Sequence, residues 1–168
     1  LMVCSEHISR YAKALVKAGA QAVCFLEPTG VMLSEDIFTE FSASYVKMIS
    51  ENLPSEIFKI YHVCGNSSHL IKTMAGAGVH ALSLDSPATG LNLKDAAQQA
   101  GEDILIIGNL EPTGNLLNGT PEAVAEETKQ LLQEMADMPN FILSSGCDLP
   151  LNTPPQNIKA MMTTNEKN

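Results

Sequence analysis

The feature that most constrains this chain is a regular alternation of short apolar segments with amphipathic helical segments. The apolar segments are continuous, which is typical of strands buried on both faces of a parallel sheet. Turn residues or an acidic residue close most of them. We predict five strands, at residues 22–26, 57–63, 81–84, 104–107 and 141–143. Because helices are predicted between the strands, the chain is expected to have an α/β fold.

Composition narrows the class of protein. Hydrophobic residues make up 45% of the 168 residues and charged residues 17%, which excludes a disordered chain. The formal net charge of −9 argues against a nucleic-acid partner. The apolar runs are too short to span a bilayer, and Glu6, His7 and Arg10 interrupt any signal peptide at the start. We therefore expect a cytoplasmic protein with small-molecule or protein partners, and with neither a nucleic-acid nor a membrane partner.

Three soft metal ligands lie at the carboxyl ends of the predicted strands, where parallel α/β folds bind their ligands. His62 and Cys64 lie at the end of the second strand, and Cys147 follows the fifth. Residues i and i+2 of a strand point to the same side, so His62 and Cys64 are expected to face one site. Two thiolates and one imidazole suit Zn²⁺ and leave a fourth tetrahedral position open for substrate. The competing interpretation of each residue is a core or loop position with no ligand.

The other two cysteines are interpreted as small buried hydrophobic residues, because free cysteine is usually buried. Cys24 lies within the first predicted strand, and Cys4 lies near the start of the chain. The composition is not that of a short secreted chain, and the four cysteines are far apart in sequence. We therefore do not expect a disulfide framework.

Three further polar residues at strand ends are candidates for cofactor binding. Glu27 follows the first strand and is either a fourth metal ligand, a partner for His62 or a loop carboxylate. Asp85 closes the third strand and is either a hydrogen-bond partner of substrate or of His62, or a cap. Asn109 follows the fourth strand, where its alternative role is to tie a turn to backbone groups.

A five-residue segment, Leu-Glu-Pro-Thr-Gly, occurs twice, at residues 26–30 and 110–114. Both copies follow a predicted strand. Equivalent loops of a barrel would repeat in this way, and chance is the competing explanation for a match of this length.

Four short motifs at the strand ends resemble one known family. They are His62-Val63-Cys64-Gly65, Ser83-Leu84-Asp85, Gly108-Asn109-Leu110-Glu111-Pro112 and Ser145-Gly146-Cys147-Asp148, the last followed by Thr153-Pro154. Their order and spacing resemble the C-terminal half of the uroporphyrinogen decarboxylase superfamily over nearly the whole chain. Within it, the chain is most similar to the corrinoid-dependent methyltransferases, such as methylcobamide:coenzyme M methyltransferases. The decarboxylase branch lacks the His-x-Cys pair and the later Cys.

The resemblance implies a zinc-dependent methyltransferase on a TIM (β/α)8 barrel. In that branch the residues matching His62, Cys64 and Cys147 hold zinc, so these three are also the expected catalytic residues. The implied methyl donor is a methylated corrinoid (methylcobalamin type) carried by a partner protein, and the implied acceptor is a small thiol such as coenzyme M. A thiol that binds zinc loses its proton and becomes the nucleophile.

Length then changes the expected domain organisation. A complete barrel of this type takes about 250 residues and eight strands, whereas this chain has 168 residues. We therefore expect residues 1–168 to form one domain, the C-terminal portion of a barrel that lacks its N-terminal strands through truncation, proteolysis or a split gene. Two open sheet edges predict either a homodimer or marginal stability.

Three alternative functions stay open. A tetrapyrrole decarboxylase needs cationic groups for its carboxylate substrate, and the chain has a single arginine, Arg10. A corrinoid methyltransferase with another donor or acceptor fits the sequence equally well. The third alternative is that a half-length chain serves as a binding module that lacks catalysis. Such a module need not hold zinc.

Overall fold

A computed structural model describes residues 1–165 of the chain. Five strands alternate with helices along it. The strands are β1 (Ala22–Glu27), β2 (Phe58–Val63), β3 (Ala81–Leu84), β4 (Leu105–Leu110) and β5 (Phe141–Ser145). The helices are α1 (Met2–Lys17), α2 (Glu35–Phe38), α3 (Ser44–Glu51), α4 (Ile71–Ala75), α5 (Leu93–Ala100), α6 (Asn115–Asn118), α7 (Pro121–Glu134) and α8 (Pro155–Asn165).

The five strands form one parallel sheet whose spatial order is the chain order, β1 to β5. Each strand therefore pairs with the next one along the chain. A helical connection between them returns the chain to the end of the sheet at which the strands begin. A doubly wound sheet reverses its strand order at a switch point, and this sheet has no reversal. Winding in one direction is the connectivity of a barrel.

One face of the sheet packs against the helices and forms the core. Tyr61, Leu82 and Ile106 lie on this face and are fully buried. Side chains alternate along a strand, so the residues next to them, His62 and Ser83, point to the opposite face. The opposite face carries the polar and sulfur-bearing side chains that form the site described below.

Several strand and helix boundaries differ from those that the sequence predicts. The strand β4 continues through Asn109 to Leu110, although Gly108 and Asn109 were expected to end it. The helical segment that begins at Glu35 does not continue as one regular helix, because a π-helical turn at Thr39–Ala43 separates α2 from α3. The Ser34 side chain makes no capping hydrogen bond, so sequence propensity at that position was a poor guide to the cap.

The two copies of Leu-Glu-Pro-Thr-Gly adopt the same hydrogen-bonding arrangement. The Glu27 carboxylate accepts bonds from the Thr29 amide and hydroxyl, both at 3.1 Å. The Glu111 carboxylate accepts the same pair of bonds from Thr113. In both loops the second carboxylate oxygen accepts a serine hydroxyl, from Ser42 in the first and from a residue after β3 in the second. The sequence repeat therefore marks two structurally equivalent loops after β1 and β4.

All four cysteines are free thiols. The expectation that Cys4 and Cys24 are buried was wrong, because both are exposed. Cys24 points away from the helices, on the edge strand β1. Within residues 1–165, none of the helices is long and apolar enough to cross a bilayer.

Candidate metal centre

Three side chains from two separate parts of the sequence meet at the carboxyl ends of β2 and β5. The ligand atoms of His62, Cys64 and Cys147 all lie within 4.8 Å of one another. The His62 Nε2 atom is 3.3 Å from the Cys64 sulfur and 3.8 Å from the Cys147 sulfur. His62 is buried and the two cysteines are half-buried, so the cluster opens toward solvent on its sulfur side.

The orientation of the His62 ring is set by Ser83 on the neighbouring strand. The register of β2 and β3 pairs these two residues directly. The His62 Nδ1 atom lies 3.1 Å from both the carbonyl oxygen and the hydroxyl oxygen of Ser83. A carbonyl oxygen only accepts hydrogen bonds, so Nδ1 carries the proton and donates it. In the neutral ring Nε2 is then the nitrogen with a free lone pair, and it faces the two sulfurs as a metal ligand requires.

The donor set fits a tetrahedral zinc ion. With zinc–sulfur and zinc–nitrogen bonds of about 2.3 and 2.0–2.1 Å, tetrahedral angles separate a sulfur ligand from a nitrogen ligand by about 3.6 Å. The two observed nitrogen–sulfur distances, 3.3 and 3.8 Å, lie on either side of that value. Three protein ligands with an open side is also the arrangement of a catalytic zinc, since a structural zinc has four.

Without a cation, the Cys64 thiol resists losing its proton. Burial, with the neighbouring Cys147 thiol, raises the pKa of Cys64 to about 11, and the charges of Asp85 and Asp148 act in the same direction. A divalent cation reverses this balance because it stabilises thiolate directly. The site is therefore arranged so that metal binding and thiol deprotonation occur together.

Backbone contacts hold the two loops that carry the cysteines. The Asp85 carboxylate accepts the Gly65 amide at 2.6 Å and the Ser86 amide at 2.7 Å, which fixes the loop just after Cys64. Gly146, just before Cys147, packs directly on the Ser86 backbone, and a Cβ atom there would lie 2.8 Å from the Ser86 Cα. The loop after β3 is thus the common support of both cysteine loops.

Of the three residues predicted to bind a cofactor, Asp85 belongs to this loop, Asn109 contacts it, and Glu27 lies at the end of β1. The Glu27 carboxylate is occupied by Thr29 and Ser42, and the Asp85 carboxylate by backbone amides. Asn109 is buried, and its Nδ2 donates to the Asp85 carbonyl at 2.9 Å. The partner of His62 is Ser83, where Glu27 or Asp85 was the expectation. A direct role of these three residues with a cofactor stays a prediction.

The cluster of His62, Cys64 and Cys147 lies in a cavity of 440 Å³ on the face of the sheet opposite the helices. The cavity is lined by the three ligands together with Cys24, Leu26, Pro28, Ser83, Ser144, Ser145 and Asp148. Glu27, Asp85 and Asn109 do not line it. A cavity of this size accommodates a small molecule beside the metal.

Two residues of the site received no role from the sequence. Ser83 lies two residues before Asp85, so strand periodicity already placed both on one face, and only the β2–β3 register shows that Ser83 meets His62. Asp148 directly follows Cys147 and lines the cavity with an exposed carboxylate. The sequence could have indicated this residue by its position, because it lies next to a predicted metal ligand after the end of a strand.

Comparison with known proteins places the chain in one family. The family described as uroporphyrinogen decarboxylase (URO-D) matches residues 1–167. The chain is 32% identical, over 95% of its length, to the methylcobamide:CoM methyltransferase MtbA of Methanosarcina acetivorans. It is 28% identical, over 94% of its length, to the uroporphyrinogen decarboxylase of Alcanivorax borkumensis. The chain spans about half of each relative, 45% of the first and 44% of the second.

A solved structure of a methyltransferase from Methanosarcina mazei has the same fold. It superposes with a TM-score of 0.85 at 27% identity, covering 97% of this chain and 47% of the other. The five-stranded sheet is therefore part of a TIM barrel, as expected. The relatives include both methyltransferases and decarboxylases, so the chain comes from a family of enzymes. The match over residues 1–167 shows that the chain belongs to the uroporphyrinogen decarboxylase (URO-D) family.

Proposed function

We propose that this chain is the zinc-binding part of a methyltransferase that moves a methyl group from a methylated corrinoid protein to a small thiol such as coenzyme M. The observation that carries the proposal is the cluster of His62, Cys64 and Cys147, whose ligand atoms lie within 4.8 Å of one another. The similarity to a methylcobamide:CoM methyltransferase supports a methylated corrinoid as donor and a small thiol as the class of acceptor.

Zinc in this site supplies a Lewis acid that holds an acceptor thiol as thiolate at neutral pH. The chain's own residues prepare for that role. Ser83 keeps the His62 Nε2 lone pair directed at the open site. Cys64 and Cys147, as thiolates, bring two negative charges that balance a divalent cation. The cavity leaves the sulfur side of the cluster accessible to a substrate.

The proposed reaction is a transfer of a methyl cation equivalent. The acceptor sulfur forms a bond to the methyl carbon, the cobalt–carbon bond of the donor breaks, and its electron pair stays on cobalt. The thiol proton leaves to solvent when the thiol enters the site. No outside oxidant or reductant is needed, which suits a metal without redox chemistry.

A decarboxylase is the second candidate, since relatives with that name match at similar identity. The cavity argues against it. None of the residues that line the cavity in the described part of the chain is Arg or Lys, so this wall offers no cation to a carboxylate substrate. A binding module without catalysis is the third candidate, and it predicts no stoichiometric metal.

The deciding experiment is metal analysis of the purified chain beside three variants. We expect about one zinc per chain in the wild type and its loss in Cys64→Ala and Cys147→Ala. Cys24→Ala is the matched control, because Cys24 lines the same cavity but lies outside the ligand cluster. Zinc retained in both ligand variants, or lost in the control alone, would refute the assignment.

Activity is then tested by incubating the zinc-loaded chain with methylcobalamin and each of a panel of thiols that includes coenzyme M. Formation of the methyl thioether, lost in Cys64→Ala and kept in Cys24→Ala, supports a methyltransferase. Stoichiometric zinc with no transfer to any thiol would favour a binding module. A cytoplasmic location and a homodimer through the free edges of β1 and β5 remain predictions, the latter testable by sedimentation.

A further inference from the structure

We infer that Asp148 determines substrate specificity, and that the thiol accepted at this site carries a cationic group close to its sulfur. The inference rests on the proposed function, since it concerns the molecule that binds beside the metal. It goes further by assigning the chemical class of that molecule. Within the class of small thiols proposed above, it predicts that coenzyme M, whose sulfonate is anionic, binds this wall of the site more weakly than an aminothiol with the same two-carbon chain.

Four carboxylates lie near the carboxyl ends of the strands, and three of them are used internally. Glu27 and Glu111 each accept hydrogen bonds from a threonine and a serine of the loops. Asp85 accepts two backbone amides. These carboxylates have their hydrogen-bonding capacity met by the fold and do not line the cavity.

Asp148 differs from the other three in each respect. It is exposed and lines the 440 Å³ cavity beside the ligand Cys147. In the part of the chain that the structure describes, its carboxylate has neither a hydrogen-bond donor nor a lysine, arginine or histidine in ion-pair range. It directly follows the ligand Cys147 in the chain and lines the same cavity as both ligand sulfurs. The fold has therefore left one charged group of the site free to meet a ligand.

Charge balance gives the sign of that ligand. Neutral His62, two thiolates from Cys64 and Cys147, and a divalent cation sum to zero. The Asp148 carboxylate then leaves this wall of the cavity with one net negative charge, and no lysine or arginine among the described lining residues offsets it. An ammonium group a few atoms from the bound sulfur would complement this charge, whereas a sulfonate at the same place would be repelled.

Three thiols with the same two-carbon chain test the inference because the group at the end of that chain is cationic, neutral or anionic. They are 2-aminoethanethiol, 2-mercaptoethanol and 2-mercaptoethanesulfonate, measured by calorimetric titration into the zinc-loaded chain. The matched variants are Asp148→Asn and Asp137→Asn. Asp137 is a control of equal charge change. It precedes β5, so it lies at the amino end of the strand, whereas Asp148 follows the carboxyl end, and it pairs with Lys94 at 2.8 Å.

We expect Asp148→Asn to weaken binding of the aminothiol about two- to fivefold and to strengthen binding of the sulfonate thiol by a similar factor, as an exposed charge pair allows. The neutral thiol should bind equally to both proteins, and Asp137→Asn should match the wild type for all three. Comparing variant with wild type cancels the different intrinsic acidities of the three thiols.

The outcomes separate this inference from the proposed function. If 2-mercaptoethanol binds only with zinc present, but Asp148→Asn leaves the ratios among the three thiols unchanged, the role of Asp148 is refuted and the metal site stands. If Asp148→Asn binds the sulfonate thiol more tightly than the wild type does, and binds the aminothiol more weakly, the inference is supported. If no thiol binds the zinc-loaded chain, or the chain takes up no zinc, both proposals fail.

Discussion

The His62 Nδ1 atom lies 3.1 Å from both the carbonyl oxygen and the hydroxyl oxygen of Ser83, the residue paired with it across β2 and β3. The carbonyl acceptor fixes the ring tautomer, and the hydroxyl adds a second contact that restricts the ring plane. Hydrogen bonds of this kind to a metal-binding histidine tune metal affinity. The first prediction follows from removing only one of the two contacts.

Replacing Ser83 by Ala should weaken zinc binding about tenfold, near the lower end of the range for such partners, because the backbone carbonyl still holds Nδ1. Affinity is measured by competition with a chromophoric chelator. Ser144→Ala is the matched control, since Ser144 lines the same cavity without contacting His62. Equal zinc affinities of wild type and Ser83→Ala would show that the Ser83 hydroxyl contributes nothing to metal binding by His62.

The case of Ser83 shows how far a sequence specifies such a site. Hydrophobic continuity and strand ends predicted β3 at its observed bounds, and the spacing of His62 and Cys64 predicted their common face. Register was the missing information. Which residue of β3 lies beside His62 depends on how two strands slide against each other, and that is set by packing of the whole sheet.

Contacts between residues far apart in the sequence also limited the prediction of what the carboxylates at the strand ends bind. Glu27 and Asp85 were chosen because acidic residues at strand ends often serve ligands. Local partners such as Thr29, two residues away, could have been anticipated from the turn sequence. The serine that completes the Glu27 site, Ser42, lies on the π-helical turn, whose position no simple periodicity indicates.

A second prediction concerns the spacing between Gly146 and the backbone of Ser86. Gly146→Ala should lower the free energy of unfolding by about 1–3 kcal/mol and reduce zinc affinity, because the added Cβ would lie 2.8 Å from the Ser86 Cα and displace the loop carrying Cys147. Thermal unfolding and chelator competition measure the two effects. Gly76→Ala is the control, since its Cβ would meet only ordinary contacts at 3.5 Å or more. A variant as stable and as tightly metal-binding as Gly76→Ala would contradict the prediction.

A third prediction uses the pH dependence of the loop after β4. Burial alone would raise the pKa of Glu111, but hydrogen bonds donated by Ser86 and Thr113 outweigh it and lower the pKa below its ordinary value of 4.5. A lowered pKa in the folded state means that the contribution to stability is present above that ordinary value and is lost as the pH falls through the lowered one. Urea unfolding of the wild type and Thr113→Val should therefore differ by about 1 kcal/mol at neutral pH and converge in acid, after allowance for solvent exposure.

The control for Thr113→Val is Thr163→Val, which removes an exposed hydroxyl bonded to a helix carbonyl rather than to a carboxylate. Its effect on the free energy of unfolding should not vary with acid pH. A difference between wild type and Thr113→Val that persists unchanged at low pH would exclude Glu111 as the titrating group.

The last prediction concerns Asn157, which ties α8 to the loop around α6. Its Nδ2 donates to the carbonyl oxygens of Asn115, Leu116 and Gly119 at 3.0–3.2 Å, and the residue is only 1% exposed. Asn157→Asp replaces a donor by a buried carboxylate facing three carbonyl oxygens, so unfolding free energy should fall by about 3 kcal/mol or more. Urea unfolding at neutral pH measures it, with the exposed Asn152→Asp as a control of equal charge change. If both variants unfold at the same urea concentration, Asn157 does not hold α8 in place.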